Sequence, residues 1–297
     1  MLDPEGLAHL WVPGSGKPLV RVVARGPMHT TYSVRRDGRQ FALRLPRSPP
    51  ASASPGSAPR WEQRVFAAAA GAGLGPAISA CDRVSGVLVT DWLRGRCWTR
   101  AEAITAGSTA RIAALARRIH ALSPPPPRYA RQPAGWIRHY SRICGRDRAA
   151  PRHASAALAD EAARRLETLA RLPRSTNVLC HSDLHRFNLI DGPGGLIVLD
   201  WEYAHFSDPF WDLAGWLCAN DLAGPHCELL LAAYLGRAPG RAQMRRLACL
   251  MWLYDYVCVL WSDAYRGQFT AAVGAGVSRR ARKLALRLGK LTAECAV

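Results

Sequence analysis

The sequence predicts an α+β chain in two lobes, a small β-rich amino-terminal lobe and a larger, mainly helical carboxy-terminal lobe. Three observations point there. The chain has 297 residues, more than most single cores accommodate and enough for two. Strand-like alternation and tight turns crowd into residues 1–94, whereas apolar residues at helical spacing dominate residues 95–297. At the expected boundary, Arg94-Gly95 takes the chain out of a last strand. With 49% hydrophobic and 21% charged residues the chain can fill substantial cores, which excludes global disorder and fibrous classes.

Each element follows from local pattern. Val20 to Pro46 reads as a β-meander: VRVVARG, a turn near Pro27, TYSVRR, the tight pair Asp37-Gly38, then RQFALRLP with Phe41, Leu43 and Leu45 alternating. Residues 47–60, rich in Pro, Ser and Ala, have the composition of a mobile surface loop. A helix is expected over Pro59–Ala72, closed by Gly71 and Gly73 with Pro76 beyond, and a hairpin over residues 77–93. Ile112, Leu115, Ile119 and Leu122 keep helical spacing until the run from Pro124 to Pro127 stops them. Further helices are expected over Trp136–Ile143 and Leu158–Leu169. The pattern reverts between Asn177 and Asp200, where NVLC, NLI, the turn at residues 191–195 and LIVLD make a small hairpin within the helical lobe. Helices resume near Pro209–Ala219, Cys227–Leu235, Ala242–Tyr265 and Ser278–Leu291.

Forty Lys and Arg against twenty-two Asp and Glu leave a net charge of +18, which suggests an anionic partner. Only Lys17, Lys283 and Lys290 are lysines, and an arginine excess accompanied by alanine is also what GC-rich coding yields, so no nucleic-acid partner is expected. The nine cysteines include no C-x-x-C pair, which argues against a zinc or disulfide framework and for a reducing compartment. The opening residues lack the basic and apolar regions of a secretory leader. The longest apolar run, Leu247 to Trp261, is short for a membrane span and carries Asp255. A cytoplasmic location without a membrane span is the expectation.

The segment that carries chemistry is HSDLHRFNLI, with Asp183 and Asn188, followed twelve residues after Asn188 by Asp200. Asp-x4-Asn ahead of a hairpin that ends in Asp is a phosphoryl-transfer arrangement. The loop Asp accepts the acceptor's hydroxyl proton, while the Asn and the second Asp hold Mg²⁺ against nucleotide phosphates. Mg²⁺ favours such hard oxygen donors. The bland alternative is a turn capped by Asp183 and Asn188 and a strand that happens to end at Asp200; the apolar strand-like runs on either side favour the chemistry. Two histidines four apart in a loop, His181 and His185, make a weak metal motif. His181 reads as structural, and His185 stays open.

HSDLHRFNLI followed by VLDWEYAHFSDPFWDLA resembles the aminoglycoside phosphotransferase and choline kinase superfamily, nearest its choline, ethanolamine and thiamine kinase branch. The resemblance covers nearly the whole chain. It implies a protein-kinase-like bilobal fold, with residues 1–94 as the nucleotide-binding lobe and residues 95–297 as the catalytic and substrate-binding lobe. It also implies ATP and Mg²⁺ as cofactors and a small-molecule alcohol as acceptor. Asp183 matches the family's catalytic base, and Asn188 and Asp200 its metal ligands. Arg44, in FALRLP, matches the basic residue that holds the α/β-phosphates, and Glu62 the helix glutamate that pairs with it; a surface ion pair is the alternative. GVLVTDWLRG resembles the strand into the adenine hinge, which puts backbone groups from Thr90 through Trp92 to Leu93 against the purine. Asp212 matches an aspartate that buttresses the catalytic loop. The phosphate loop, Gly26 to Thr30, has one glycine, so His29, Thr30 or Thr31 are candidate side-chain donors, with a plain hairpin turn as the alternative.

For the acceptor, the choline branch builds an aromatic cage with a carboxylate, since a quaternary ammonium has no N–H to donate. Tyr203 falls at a cage position. Trp252 with Asp255, and Glu202 or Asp221, are the other candidates, and core packing is the alternative for each aromatic. Ala219 stands where the choline enzymes usually carry a glutamate, which leaves choline, ethanolamine, thiamine and other alcohols open. Two further readings remain: an antibiotic phosphotransferase of the aminoglycoside type, disfavoured by few acids after Asp200, and a basic non-catalytic binding protein using SRRARKLALRLGKL.

Overall fold

The computed structural model describes residues 3–26, 29–47, 59–82, 84–124, 133–146, 152–173, 175–266 and 271–294. The turn expected near Pro27, most of the loop expected at 47–60 and the prolines at 125–127 lie outside these residues. The chain groups into two compact units.

The first unit comprises Met1–Thr99, Ala121–Pro127 and Arg186–Ala204. Its antiparallel sheet holds β1 (Leu19–Arg25), β2 (His29–Arg36), β3 (Arg39–Pro46), β4 (Ile78–Cys81) and β5 (Leu88–Asp91) in the order β1-β2-β3-β5-β4. Asp37 and Gly38 both take positive φ, 49° and 74°, the twist that a two-residue hairpin between right-handed strands requires. Alternation in β3 buries Phe41, Leu43 and Leu45 and turns Arg44 to the other face. A helix that the apolar pattern did not reveal, α1 (Pro4–Trp11), covers the buried face, with Ala8 and Val12 packed into the cluster of Val34, Phe41, Leu43, Leu45, Val87 and Val89. Its signal was chemical: Asp3 accepts hydrogen bonds from the Glu5 and Gly6 N–H groups, and Pro4 opens the first turn. Arg36, itself buried, closes the other end by donating to the carbonyls of His9 and Val12, and to that of Gly16 at 2.7 Å.

The hairpin β7 (Leu189–Gly192) and β8 (Gly195–Val198), expected within the helical lobe, groups with this sheet unit instead. Backbone bonds explain the difference. Asp191 and Arg96 exchange N–H···O bonds of 2.9 and 3.1 Å, and Val198 N–H donates to Leu74 carbonyl at 2.7 Å. Gly95 takes φ +152° where a Cβ would meet the Asp191 carbonyl, so the chain passes the hairpin at a distance only glycine permits.

The second unit comprises Arg100–His120, Arg128–His185 and His205–Val297. It contains α3 (Arg100–Ala103), α4 (Ala106–His120), α5 (Pro133–Arg146), α6 (Ala156–Arg171), α7 (Phe210–Ala219), α8 (Pro225–Leu235), α9 (Arg241–Ala264) and α10 (Ala271–Glu294). A short ladder pairs β6 (Val178–Cys180) with β9 (His205–Ser207), and β9 had no strand-like run to announce it. α9 is the central helix, packed by α5, α6, α7 and α10. Among the described residues it alone is long and apolar enough to cross a membrane, and 61% of its apolar window is buried inside the protein. Two arginines of these helices are held in place: Arg165 bonds Glu161 at 2.5 Å, and Arg246 pairs with Asp208 and donates to the Pro173 carbonyl at 2.8 Å. Both are mostly covered, and each fork meets a carboxylate.

Candidate functional site

In the first unit, Arg44 is the organising residue. Its Nη2 pairs with Glu62 of α2 (Pro59–Gly71), and its Nη1 donates to Asp200 Oδ1 at 2.6 Å. The side chains of Arg44 and Glu62 are only 13% and 11% exposed, so this is no surface ion pair. Burial alone would lower the Arg44 pKa; Glu62, Asp200 and Glu202 more than reverse that and lock the charge on. Among the described residues Arg44 Nε is buried without a hydrogen-bond partner. A buried donor of this kind is costly unless an acceptor arrives.

Local structure sets up Asp200. Asn188 closes a 3₁₀ turn (Arg186–Asn188), and its carbonyl accepts from Leu199 N–H at 2.8 Å, which brings the end of β8 back beside the turn that precedes β7. Asp200 then takes φ +60°, a left-handed conformation uncommon for a non-glycine residue and frequent at working sites. The following residues are pinned: Trp201 is fully buried, and the Trp61 indole donates to Ala204 carbonyl at 2.6 Å. Neighbouring residues of α2 thus fix two parts of the cluster, Trp61 the segment after Asp200 and Glu62 the arginine. Glu202 is buried, and His29 Nδ1 of β2 lies 3.6 Å from its carboxylate. Burial, then the nearby Arg44, push the His29 pKa down to about 3 against the pull of Asp200, so the ring is neutral. Asp200 and the buried Glu202 bring carboxylate oxygens within 4.8 Å of each other, hard-oxygen chemistry that fits a divalent cation such as Mg²⁺.

Of the expected adenine contacts, Thr90 is buried in β5, and Trp92 N–H already donates to Gln40 carbonyl at 3.2 Å. Leu93 lies beyond the last ladder bond.

In the second unit, Asp212 lies fully buried in the first turn of α7 and holds the loop that leads to Asp183. Its carboxylate accepts from the His181 and Ser182 backbone N–H groups at 2.8 and 2.7 Å, and its Oδ2 lies 3.2 Å from His120 Nε2. Ser182 adopts φ +69°, a bend these bonds impose. Burial alone would raise the Asp212 pKa; the His120 bond, the charges of His120 and His181 and the Ser182 N–H outweigh it and hold the carboxyl low. A second brace reaches the same serine. The Trp136 indole N–H can only donate, so His205 Nε2 accepts it at 3.1 Å and Nδ1–H donates to Ser182 Oγ at 2.9 Å. Asp183 emerges from this braced loop part-exposed, with His185 Nε2 at 3.3 Å from its carboxylate. His120, Trp136 and His205 carried no sequence signal for these roles, since each meets the loop from tens of residues away.

Asp212→Asn should destabilise the fold by about 3 kcal/mol, because the two backbone N–H groups use different carboxylate oxygens and an amide nitrogen in place of one cannot accept. Urea denaturation at neutral pH checks this. A carboxyl held low stabilises above its unfolded pKa, so the wild-type advantage should shrink as pH drops below the ordinary value of 3.8.

The model of the phosphotransferase enzyme family matches residues 20–247, well over half of the chain. The chain belongs to the phosphotransferase enzyme family. No curated protein matches it. Among solved structures this phosphotransferase is similar to a choline/ethanolamine kinase family protein from Mesorhizobium loti (23% identity, TM-score 0.69, covering 90% of this chain and 87% of that one). It is also similar to a choline kinase from Streptococcus pneumoniae (20%, 0.72, 90% and 94%) and to a macrolide 2'-phosphotransferase from Brachybacterium faecium (20%, 0.58, 88% and 91%). At these identities the likeness shows the shared α+β kinase-like fold.

The acceptor candidates of this phosphotransferase are divided between the two units. Tyr203 and Glu202 belong to the first unit, and Tyr203 is half-buried there. In the second unit Trp252 is buried against Tyr256, with the Arg165 guanidinium 5.8 Å from its ring. Asp255 pairs with Arg287 of α10, whose other nitrogen bonds Asp221 at 3.1 Å; Lys283 lies 3.8 Å from Asp221. The chain's own cations therefore occupy both carboxylates. Burial holds the Asp255 pKa up even with Arg287 beside it. Arg287→Met should cost about 3 kcal/mol at neutral pH by stranding that buried carboxylate. The loss should shrink at acidic pH, where Asp255 takes up a proton, and thermal melts across pH check the sign.

Proposed function

We propose that this phosphotransferase transfers the γ-phosphoryl group of ATP, in the presence of Mg²⁺, to a hydroxyl of a small cationic metabolite of the choline, ethanolamine or thiamine kind. The observation that carries the reading is the Arg44 fork: one arm on Glu62, one on Asp200, and a buried Nε–H left for an anionic oxygen. A nucleotide phosphate supplies such an oxygen, and one solved relative is a choline kinase in complex with AMP.

In this reading Arg44, held by Glu62, steadies the phosphates, and backbone groups from Thr90 through Trp92 to Leu93 meet the purine. Asp183 orients the acceptor hydroxyl and takes its proton as the oxygen attacks phosphorus. The new P–O bond forms as the bond to the β,γ-bridging oxygen breaks, and ADP departs with that electron pair. Asp200 and Asn188 would hold Mg²⁺, which would supply neutralisation of negative charge on the phosphates. The cationic end of the acceptor meets aromatic faces, Tyr203 among them, since Asp221 and Asp255 already share a pairing with Arg287.

A coupled assay of ADP release over choline, ethanolamine, thiamine, neutral alcohols, aminoglycosides and macrolides tests this. Acceptor-dependent release with a small amino alcohol or thiamine, lost in Asp183→Ala, is the expected result. Turnover confined to an antibiotic would replace the acceptor, and strongly salt-dependent RNA binding without turnover would favour the non-catalytic reading.

A further inference from the structure

One member of the Arg44 cluster has no part in the oxygen set: His29. It enters from β2, where it pairs with Pro46, and its ring is mostly covered. One donor atom each of His29, Asp200 and Glu202 lies within 4.8 Å of the other two. Ligands about 2.1 Å from a shared ion stand at most about 4.2 Å apart, so closing on an ion takes shifts of roughly half an ångström. The imidazole Nδ1 lies 3.6 Å from the Glu202 carboxylate, so both groups can reach an ion held between them. Asp200 and the buried Glu202 supply two carboxylates for a dication.

We propose that His29 is a nitrogen ligand in the metal position, together with Asp200 and Glu202, so that this position prefers a first-row transition dication to Mg²⁺. Oxygen-only sets suit Mg²⁺, whereas imidazole favours the later first-row ions, and an N,O,O set shifts selectivity accordingly. The inference rests on the phosphotransferase reading only for the expectation that Asp200 binds metal.

The test uses Mn²⁺ as probe on the whole, nucleotide-free protein, with binding followed by electron paramagnetic resonance and the electron spin echo inspected for nitrogen modulation. Wild type should bind Mn²⁺ in preference to Mg²⁺ and show imidazole-nitrogen modulation. His29→Gln should lose the modulation and at least roughly tenfold in Mn²⁺ affinity, the loss that even an outer-shell partner can cause. Glu202→Gln should weaken binding but keep the modulation, which separates ligand loss from misfolding. Bound Mn²⁺ without nitrogen modulation, or modulation and affinity unchanged in His29→Gln, or no measurable Mn²⁺ binding, would overturn the proposal. ADP release is scored separately on the same samples. Turnover with an oxygen-only site sinks the His29 ligand and leaves the kinase reading standing; a nitrogen-ligated site without acceptor-dependent turnover does the reverse.

Discussion

Asp200→Asn should lower kcat at saturating ATP by at least about 10³-fold while shifting the melting temperature by only a few degrees. The substitution keeps shape and removes one charge. That charge does two jobs in the first unit: it holds Arg44 Nη1 at 2.6 Å, and with Glu202 it offers carboxylate oxygens to a cation. Without it Arg44 loses one of its two ion-pair partners. The fold should survive because Trp61, Trp201 and the Leu199–Asn188 bond pin the segment independently of the carboxylate. Steady-state kinetics beside a thermal melt separates the two effects. Asp200→Asn with wild-type kcat would remove the residue from the reaction.

Asp183→Ala should cost roughly 10²–10⁴ in kcat, the usual worth of a positioned base, with little change in KM for ATP. The loop around it is over-determined for a reason that folding alone does not supply. Asp212 takes two backbone N–H groups, His205 takes Ser182 Oγ, and Ser182 is held at positive φ, all just before a part-exposed aspartate. Such bracing fixes where Asp183 points, which is what orienting a hydroxyl requires. Since the braces do not include the Asp183 carboxylate, Asp183→Ala should fold as wild type does, unlike Asp212→Asn.

How far these features could be read from sequence depends on their range. β3, its turn and α2 were legible because alternation, an Asp-Gly pair and helix-ending glycines act within a few residues. Asp183, Asn188 and Asp200 were legible as a spaced motif. α1 escaped because its evidence is a cap, Asp3 with Pro4, ahead of a helix of only 8 residues, too short for a repeat of its apolar positions to stand out. β9 escaped because three residues carry no period, and its pairing with β6 is set by distance in space. The grouping of the β7–β8 hairpin with the sheet rests on backbone bonds to Leu74 and Arg96, far away in sequence and silent in side-chain type.

The +18 charge divides along similar lines. Arg36 caps α1, Arg246 meets Asp208, Arg287 meets Asp221 and Asp255, and Arg44 bridges Glu62 and Asp200, so part of the excess is structural. Arg287 bears directly on the acceptor, because it already pairs with two of the carboxylates offered as partners for a cation.

The most direct test of the central claim follows a radiolabel from the γ-position of ATP in the presence of a small amino alcohol or thiamine. The account predicts label on the acceptor's oxygen in wild type, with the rate of transfer cut at least about 10²-fold in Asp183→Ala and about 10³-fold in Asp200→Asn. Label found only in inorganic phosphate, or left in ATP across the whole acceptor panel, would contradict it.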